Sequence, residues 1–372
     1  AAETLLFDDL DHNICWEQSA RTPIDFVDCE VVVEADLVNS RVAAVSIEAR
    51  VATATYEDDR LTCWASSQGA HSHRDDVVRA LGLDTDDVRV VVTDIGGGFG
   101  AKGMASEEEI VVAQLARLHG RPVRWAETRT ENLIGYVHGR AQNQTVTMGG
   151  TRDGRITHYR LRVVQDSGAY PKWGAFLPEF TRWMASGVYD IANVEFSSTS
   201  VATNTAPTCA YRGAGRPEAT AAIERAVDLF AAEIGMDPAE VRRANLPGPD
   251  AFPYTNGTGT VYDSGDYQAA LDRALAAADY PGLRAEQQRR RAAGDCRQLG
   301  VGLGTYVEVT GFGGSEYGRV ELNADGTVRA VTGSTPIGTG HVTTWAMLVA
   351  DRLAMPLDNV AIVYGDTDLV PS

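Results

Sequence analysis

The sequence predicts an α+β, mixed α/β fold, and three features predict it. Some runs alternate apolar and polar residues as half-buried strands do, others repeat apolar residues at helical spacing, and glycine-rich turns lie where strands hand over to helices. Residues 27–37 and 47–56 alternate as strands, and 61–67 follow as a third. Residues 71–82 read as a helix. The apolar run 88–93 is a buried strand, followed by the glycine turn and the helix of residues 106–120, whose opening Glu107, Glu108 and Glu109 suit the positive end of a helix dipole. PVRWAET (122–128) returns as a strand, and strand-like runs dominate from 142 to 204.

A long amphipathic helix spans 219–235, with Gly235 as its stop, and another follows with Asp237 as cap and Pro238 in its first turn. Further helices are expected at 265–279 and 283–293, and the charged stretch 286–298 marks a boundary. Strands then resume with VGLGTYVEVTG (301–311) and a hairpin over 317–333 turned by Ala-Asp-Gly, before a last glycine turn and helix. The expected domains are therefore 1–295 and 296–372.

With 44% hydrophobic and 23% charged residues over 372 positions, the chain can bury sizeable cores without disulfides or a structural metal. Its 33 basic against 51 acidic side chains give a formal charge of −18, which argues against nucleic acid as partner. An anionic ligand must then be held by backbone N–H groups and local arginines. The five cysteines, at 15, 29, 63, 209 and 296, form no C-x-x-C pair, so neither a zinc nor an iron–sulfur site is expected in this chain. Reduced thiols and a cytoplasmic location are the expectation. No apolar run approaches the ~20 residues of a membrane span, and the first residues lack the pattern of a signal peptide.

Four motifs carry chemistry. In VRVVVTDIGGGFGAKG (88–103), glycines at 96, 97, 98 and 100 permit close backbone approach and positive φ, so successive N–H groups can face an anion ahead of a helix. Gly96, Gly98 and Ala101 also satisfy a dinucleotide fingerprint, with Glu127 placed to meet a ribose, although the turn is long and strands precede it. In the second, AYRGAGRPEA (210–219), Arg212 stands beside Gly213 and Gly215; a guanidinium on flexible backbone suits an anion-rich pocket, and equally a surface ion pair. The third places Gly338, Thr339, Gly340 and His341 before a helix whose first turn offers free N–H groups and Thr343. The fourth is Gln68, at a strand end before a helix.

Taken together and in this order, Gln68-Gly69, GGGFGAKG (96–103), AYRGAGRPEA (210–219) and GTGHVTT (338–344) resemble the molybdenum-cofactor-binding large subunit of the xanthine oxidase/aldehyde oxidase family, in particular its bacterial carbon-monoxide-dehydrogenase-like branch. Supporting stretches are 165–171, 233–246 and 251–267, so the resemblance runs along nearly the whole chain. It implies the fold of that large subunit, incomplete here. It also implies molybdopterin cytosine dinucleotide, with the metal held by the pterin dithiolene and by no side chain. Gly97, Gly98, Phe99 and Gly100 would approach metal and pterin, Gln68 would hydrogen-bond near the metal, Arg212 and Gly213 would form the active-site loop, and Gly338, Thr339, Gly340, His341 and Thr343 would bind pterin or pyrophosphate. Gln68 and Arg212 are the residues implied in catalysis. The family reaction is oxidative hydroxylation, here of an aldehyde or heterocycle, with water as oxygen donor. Electrons leave through iron–sulfur clusters to FAD on an iron–sulfur subunit and a flavin subunit.

Departures from the family pattern refine this. Gly213 stands where carbon monoxide oxidisers carry a cysteine, Gly103 and Ala214 stand where purine oxidisers carry an acid and an aromatic, and Thr339 replaces a glutamine. The family's glutamate base lies beyond Ser372, so the chain is expected to be inactive alone, either as a fragment or with a second chain carrying the remainder. Residues 298–372 are then expected to expose strand edges and apolar surface. Two other readings are an NAD(P)-dependent dehydrogenase using the turn from Gly96 to Ala101, and a cofactor-free structural or assembly module.

Overall fold

In the computed structural model, which describes residues 4–20, 22–309 and 315–371, the alternating runs pair into sheets carried by two compact units. One unit comprises Ala1–Val42, Arg140–Thr208 and Gly213–Thr310; the other comprises Ala43–Gly139, Cys209–Arg212 and Gly311–Ser372.

The first unit is built on a five-stranded sheet in the order Ile14–Gln18, Asn193–Val201, Ile156–Asp166, Gln142–Gly150, Val31–Asn39. Only the pairing of Ile156–Asp166 with Asn193–Val201 is parallel. Because side chains alternate across a strand, Val146, Met148, Leu161, Val163 and Phe196 fall on one face. The helix Arg216–Ile234 lays Ala222, Ile223, Ala226, Val227 and Phe230 against them, and the larger of these, Ile223, Val227 and Phe230, each contribute about 1.5–3 kcal/mol by leaving water. Gly235, at φ 71°, ends that helix, and Asp237 caps the next, Pro238–Asn245, by accepting from the Ala239 N–H at 2.8 Å. A short helix at Leu177–Trp183 interrupts the strand-rich stretch. The helices expected at 265–279 and 283–293 are observed at Tyr267–Ala277 and Tyr280–Ala292.

One strand expectation fails. Residues 301–309 alternate between exposed and half-buried, yet join no sheet, while Thr310 and Gly311 lie outside the described residues. Side chains claim the backbone groups a neighbouring strand would have used. The buried Arg242 donates to the Leu303 carbonyl at 3.0 Å, and Glu224 accepts from the Thr305 N–H at 3.1 Å.

The second unit carries a four-stranded sheet ordered Val88–Val91, Arg60–Ala65, Val51–Glu57, Val123–Ala126, with the helices Ala70–Leu81 and Glu107–His119 closing its core over Leu61, Val88, Val90 and Ala113. The expected hairpin forms as Gly318–Leu322 against Val328–Thr332, turned where Gly326 adopts φ 82°. Val360–Val363 adds in parallel and the helix His341–Leu353 precedes it. Val320 (54% exposed), Leu322 (72%) and Leu348 (64%) remain open on these elements. The chain then hooks back: the Val92 N–H donates to Gly365 O at 2.6 Å, the Thr367 N–H to Val90 O at 3.1 Å, and Arg89 pairs with Asp366 at 2.6 Å.

Candidate functional site

The glycine turn after Val88–Val91 shows an unusual backbone. Gly97, Phe99 and Gly100 take φ of 99°, 55° and 95°, a conformation that glycine accepts freely and that costs phenylalanine about 1–3 kcal/mol. Residues on both sides hold it there. Gln68 Oε1 accepts from the N–H groups of Gly100 at 2.8 Å and Lys102 at 3.2 Å, and its own N–H donates to Lys102 O at 2.9 Å. A Cβ on Gly98 would collide with Gln68 Oε1, and one on Gly100 would meet Ala210 O at 2.9 Å. Arg212 enters through its backbone, its N–H donating to Phe99 O at 2.8 Å; its side chain is exposed.

Two residues that the sequence reading did not single out grip the ends of the turn. Glu48 Oε2 accepts from the Gly96 N–H at 2.8 Å and from Lys102 Nζ at 3.0 Å, while Ser66 Oγ donates to Glu48 Oε1 at 2.9 Å. Lys102 Nζ also donates to Glu48 O at 3.0 Å, and the lysine is 2% exposed. Burial pushes the Lys102 ammonium down from its ordinary value, against the pull of Glu48. Burial also pushes the Glu48 carboxyl up, but the Gly96 N–H, Lys102 and Ser66 outweigh it and hold it below the usual range. Lys102 was visible in its motif; Glu48 sits far away in sequence on a segment that reads only as strand.

With these bonds made, the N–H groups of Gly97, Gly98 and Phe99 have no hydrogen-bond partner among the described residues, although Gly97 and Gly98 are buried. Buried N–H groups are normally paired, so these donors point to an acceptor that is not part of this chain. They are supplied by the turn itself. Between the turn and the following helix a short 3₁₀ turn at Ala101–Gly103 intervenes, and Ser106 and Glu109 cap the helix Glu107–His119 as a reciprocal box.

The last turn reaches the same unit. A Cβ on Gly338 would lie 3.2 Å from Ile95 O and 3.8 Å from Gly97 N, so two distant glycine turns approach backbone to backbone. Gly338 and Gly340 take φ of 87° and 76°; Gly340 caps His341–Leu353 without a side-chain bond, leaving the first helical N–H groups, beside exposed Thr339 and Thr343, for an outside acceptor. The His341 and Trp345 rings meet tilted by 32°, their centroids 4.9 Å apart. Gly213 begins the other unit, where Gly213, Ala214 and Gly215 take φ of 95°, 40° and 85° before the helix at Arg216. There Arg216 pairs with Glu308 at 2.7 Å, and the fully buried Glu218 lies 3.6 Å from Arg140.

The dinucleotide reading is corrected by both topology and burial. The strands flanking the turn, Val88–Val91 and Val123–Ala126, occupy opposite edges of their sheet with two strands between them, one of which, Val51–Glu57, is antiparallel to its neighbours, not the adjacent parallel pair of a nucleotide fold. Glu127, the candidate ribose ligand, has its side chain fully buried. It accepts from the Arg50 N–H at 2.9 Å, Arg50 Nε at 3.0 Å and Asn132 Nδ2 at 2.8 Å, which uses its carboxylate for structure.

Known proteins decide the family. Residues 7–246 and 273–372 each match a molybdopterin cofactor-binding domain. This chain belongs to the molybdopterin-binding large subunits of the xanthine oxidase family. Within it, the chain is 34% identical to the carbon monoxide dehydrogenase large chain of Hydrogenophaga pseudoflava, covering 97% of this chain and 47% of that one. It is 32% identical to the nicotine 6-hydroxylase large subunit of Paenarthrobacter nicotinovorans, covering 91% and 43%. Quinoline 2-oxidoreductase from Pseudomonas putida 86 superposes with a TM-score of 0.92 at 32% identity, over 98% of this chain and 49% of that one. The chain thus spans about half the length of these relatives. Among the described residues no group of three His, Cys, Asp or Glu side chains could hold a metal ion, and no helix is long and apolar enough to cross a membrane.

Proposed function

We propose that the chain forms the part of a molybdenum hydroxylase large subunit that holds a molybdopterin, in its cytosine dinucleotide form, for oxidative hydroxylation of an aldehyde or heterocycle. The observation that carries this reading is the pair of buried glycines, Gly97 and Gly98, whose N–H groups have no acceptor among the described residues in a turn fixed on every side. Anionic oxygens and a flat ring system suit such a turn: the glycines leave no Cβ in the way, and successive N–H groups point positive dipoles at the ligand.

In this reading Gly97, Gly98, Phe99 and Gly100 cradle the pterin end, and Gln68 offers its amide N–H groups while its oxygen stays on the turn. Arg212 supplies a permanent positive charge beside Phe99, and Gly213 carries its loop onward. Gly338, Thr339, Gly340, His341 and Thr343 donate to the pyrophosphate from the open end of their helix. When bound, the cofactor supplies the two-electron redox chemistry that puts a water-derived oxygen on the substrate carbon. Iron–sulfur and FAD subunits would take the electrons, and assembly would occur in the cytoplasm. Residues 1–295 would form a first molybdopterin-binding module and 296–372 open a second. Gly213 argues against carbon monoxide as substrate, and Gly103 with Ala214 against purines.

The test is to purify the protein with its partners from a host that makes molybdopterin, then measure molybdenum, oxidised pterin fluorescence and CMP released by acid. About one of each per chain is expected. Protein with intact partners that carries neither metal nor pterin would overturn the proposal.

A further inference from the structure

We propose that the Glu48–Lys102 pair is a positioning device that sets the conformation of the glycine turn for its ligand. The inference rests on the function proposed above. The turn enters at Gly96 and leaves at Lys102, and Glu48 holds both ends. One carboxylate oxygen takes the Gly96 N–H and the Lys102 ammonium together, at 2.8 and 3.0 Å. The backbone of Glu48 repeats the grip: its N–H donates to Gly96 O at 3.2 Å, and its carbonyl accepts from Lys102 Nζ at 3.0 Å. Ser66 fixes the other carboxylate oxygen at 2.9 Å.

This grip determines which donors remain. The Gly96 N–H is consumed by Glu48, and those of Gly100 and Lys102 by Gln68. Gly97, Gly98 and Phe99 are left between the two anchors with theirs unspent. Neither Glu48 nor Lys102 is assigned to touch the ligand. Lys102, 2% exposed with its ammonium bonded to Glu48 twice, is placed to shape the turn and is withdrawn from the surface as a cation. A lysine whose only task was to neutralise phosphate would face the ligand instead.

The experiment uses the full chain as purified with its partners, comparing wild type with Lys102→Met, Glu48→Gln and the double variant. The readouts are amide hydrogen exchange along the chain and pterin content per folded chain. For Lys102→Met we expect exchange at Gly96, Gly100 and residue 102, the amides held by Glu48 and Gln68, to rise about tenfold with Val88–Val91 unchanged, and pterin to fall about tenfold, the scale typical of residues that orient a ligand's direct contacts. Glu48→Gln keeps an acceptor for Gly96 and should show a smaller change in the same direction. The double variant leaves no unpaired buried charge, so its melting temperature should recover while turn exchange stays fast and pterin stays low.

Exchange that rises uniformly, or pterin that returns in the double variant, would show a general packing role and overturn the proposal. Unchanged exchange and pterin in both single variants would do the same. Should wild type carry no pterin, the function proposed above fails, while the exchange comparison still judges the clamp.

Discussion

At Gly100 the backbone φ of 95° and an absent Cβ serve separate purposes: the first lets the N–H reach Gln68, the second lets Ala210 O approach within 2.9 Å of where a methyl would stand. Gly100→Ala should therefore destabilise the protein by about 1–3 kcal/mol, through left-handed strain and the displaced Ala210 backbone. Gly103, three residues on, has open space within 4 Å of where its methyl would stand and no left-handed φ, so Gly103→Ala should stay within about 0.5 kcal/mol of wild type. Urea unfolding of both variants checks the contrast, and equal losses would mean that the glycine run is interchangeable. Motif reading groups these glycines together because sequence records composition and spacing. It does not record that Ala210 arrives from more than a hundred positions away, nor that Glu48 supplies the carboxylate.

Among the elements, the closing segment 364–370 shows how a short stretch with little propensity of its own is held. Its backbone bonds to Val90 and Val92 extend the edge of the four-stranded sheet, and Asp366 locks them through Arg89. Burial alone would push the Asp366 carboxyl up, but Arg89 and the N–H groups of Asp368 and Leu369 outweigh it and lower its pKa. A carboxyl lowered in the folded state contributes stability that is full above its unfolded pKa of about 4 and is lost as pH falls through the lower folded value. Hydrogen exchange at 365–370 should therefore accelerate below roughly pH 4 ahead of the sheet, and Asp366→Asn should remove that acid dependence. The amphipathic helices, their caps at Asp237 and Gly235, and the 317–333 hairpin were legible, since each is set by residues within a few positions of one another. The strand expected at 301–311 fails because alternation reports an extended, half-buried chain. It does not report whether the partner is a strand or, as here, Arg242 and Glu224.

For the whole molecule, burial sorts the five cysteines by reactivity. Burial pushes the Cys63 thiol up to about 12, with Glu109 adding to it, and Cys209 is also buried, while Cys296 is exposed. Alkylation of the native protein at pH 8 should label Cys296 first and reach Cys63 and Cys209 only on unfolding, as peptide mass spectrometry would show. Native labelling of Cys63 as fast as Cys296 would contradict the packing of the strands at 51–65 against their helices. Composition could exclude a local cysteine cluster, but it could not rank these thiols, because exposure is a property of the folded surface.

The sequence by itself determined the fold class, most helices and their stops, and the family, because these depend on periodicity, local caps and motifs that keep their order along the chain. Tertiary structure decided which of the backbone N–H groups in the glycine turn remain unspent, which is set by partners at residues 48, 68 and 212. It also removed the dinucleotide alternative, since a strand's neighbours in a sheet and the burial of Glu127 follow from chain topology and not from spacing.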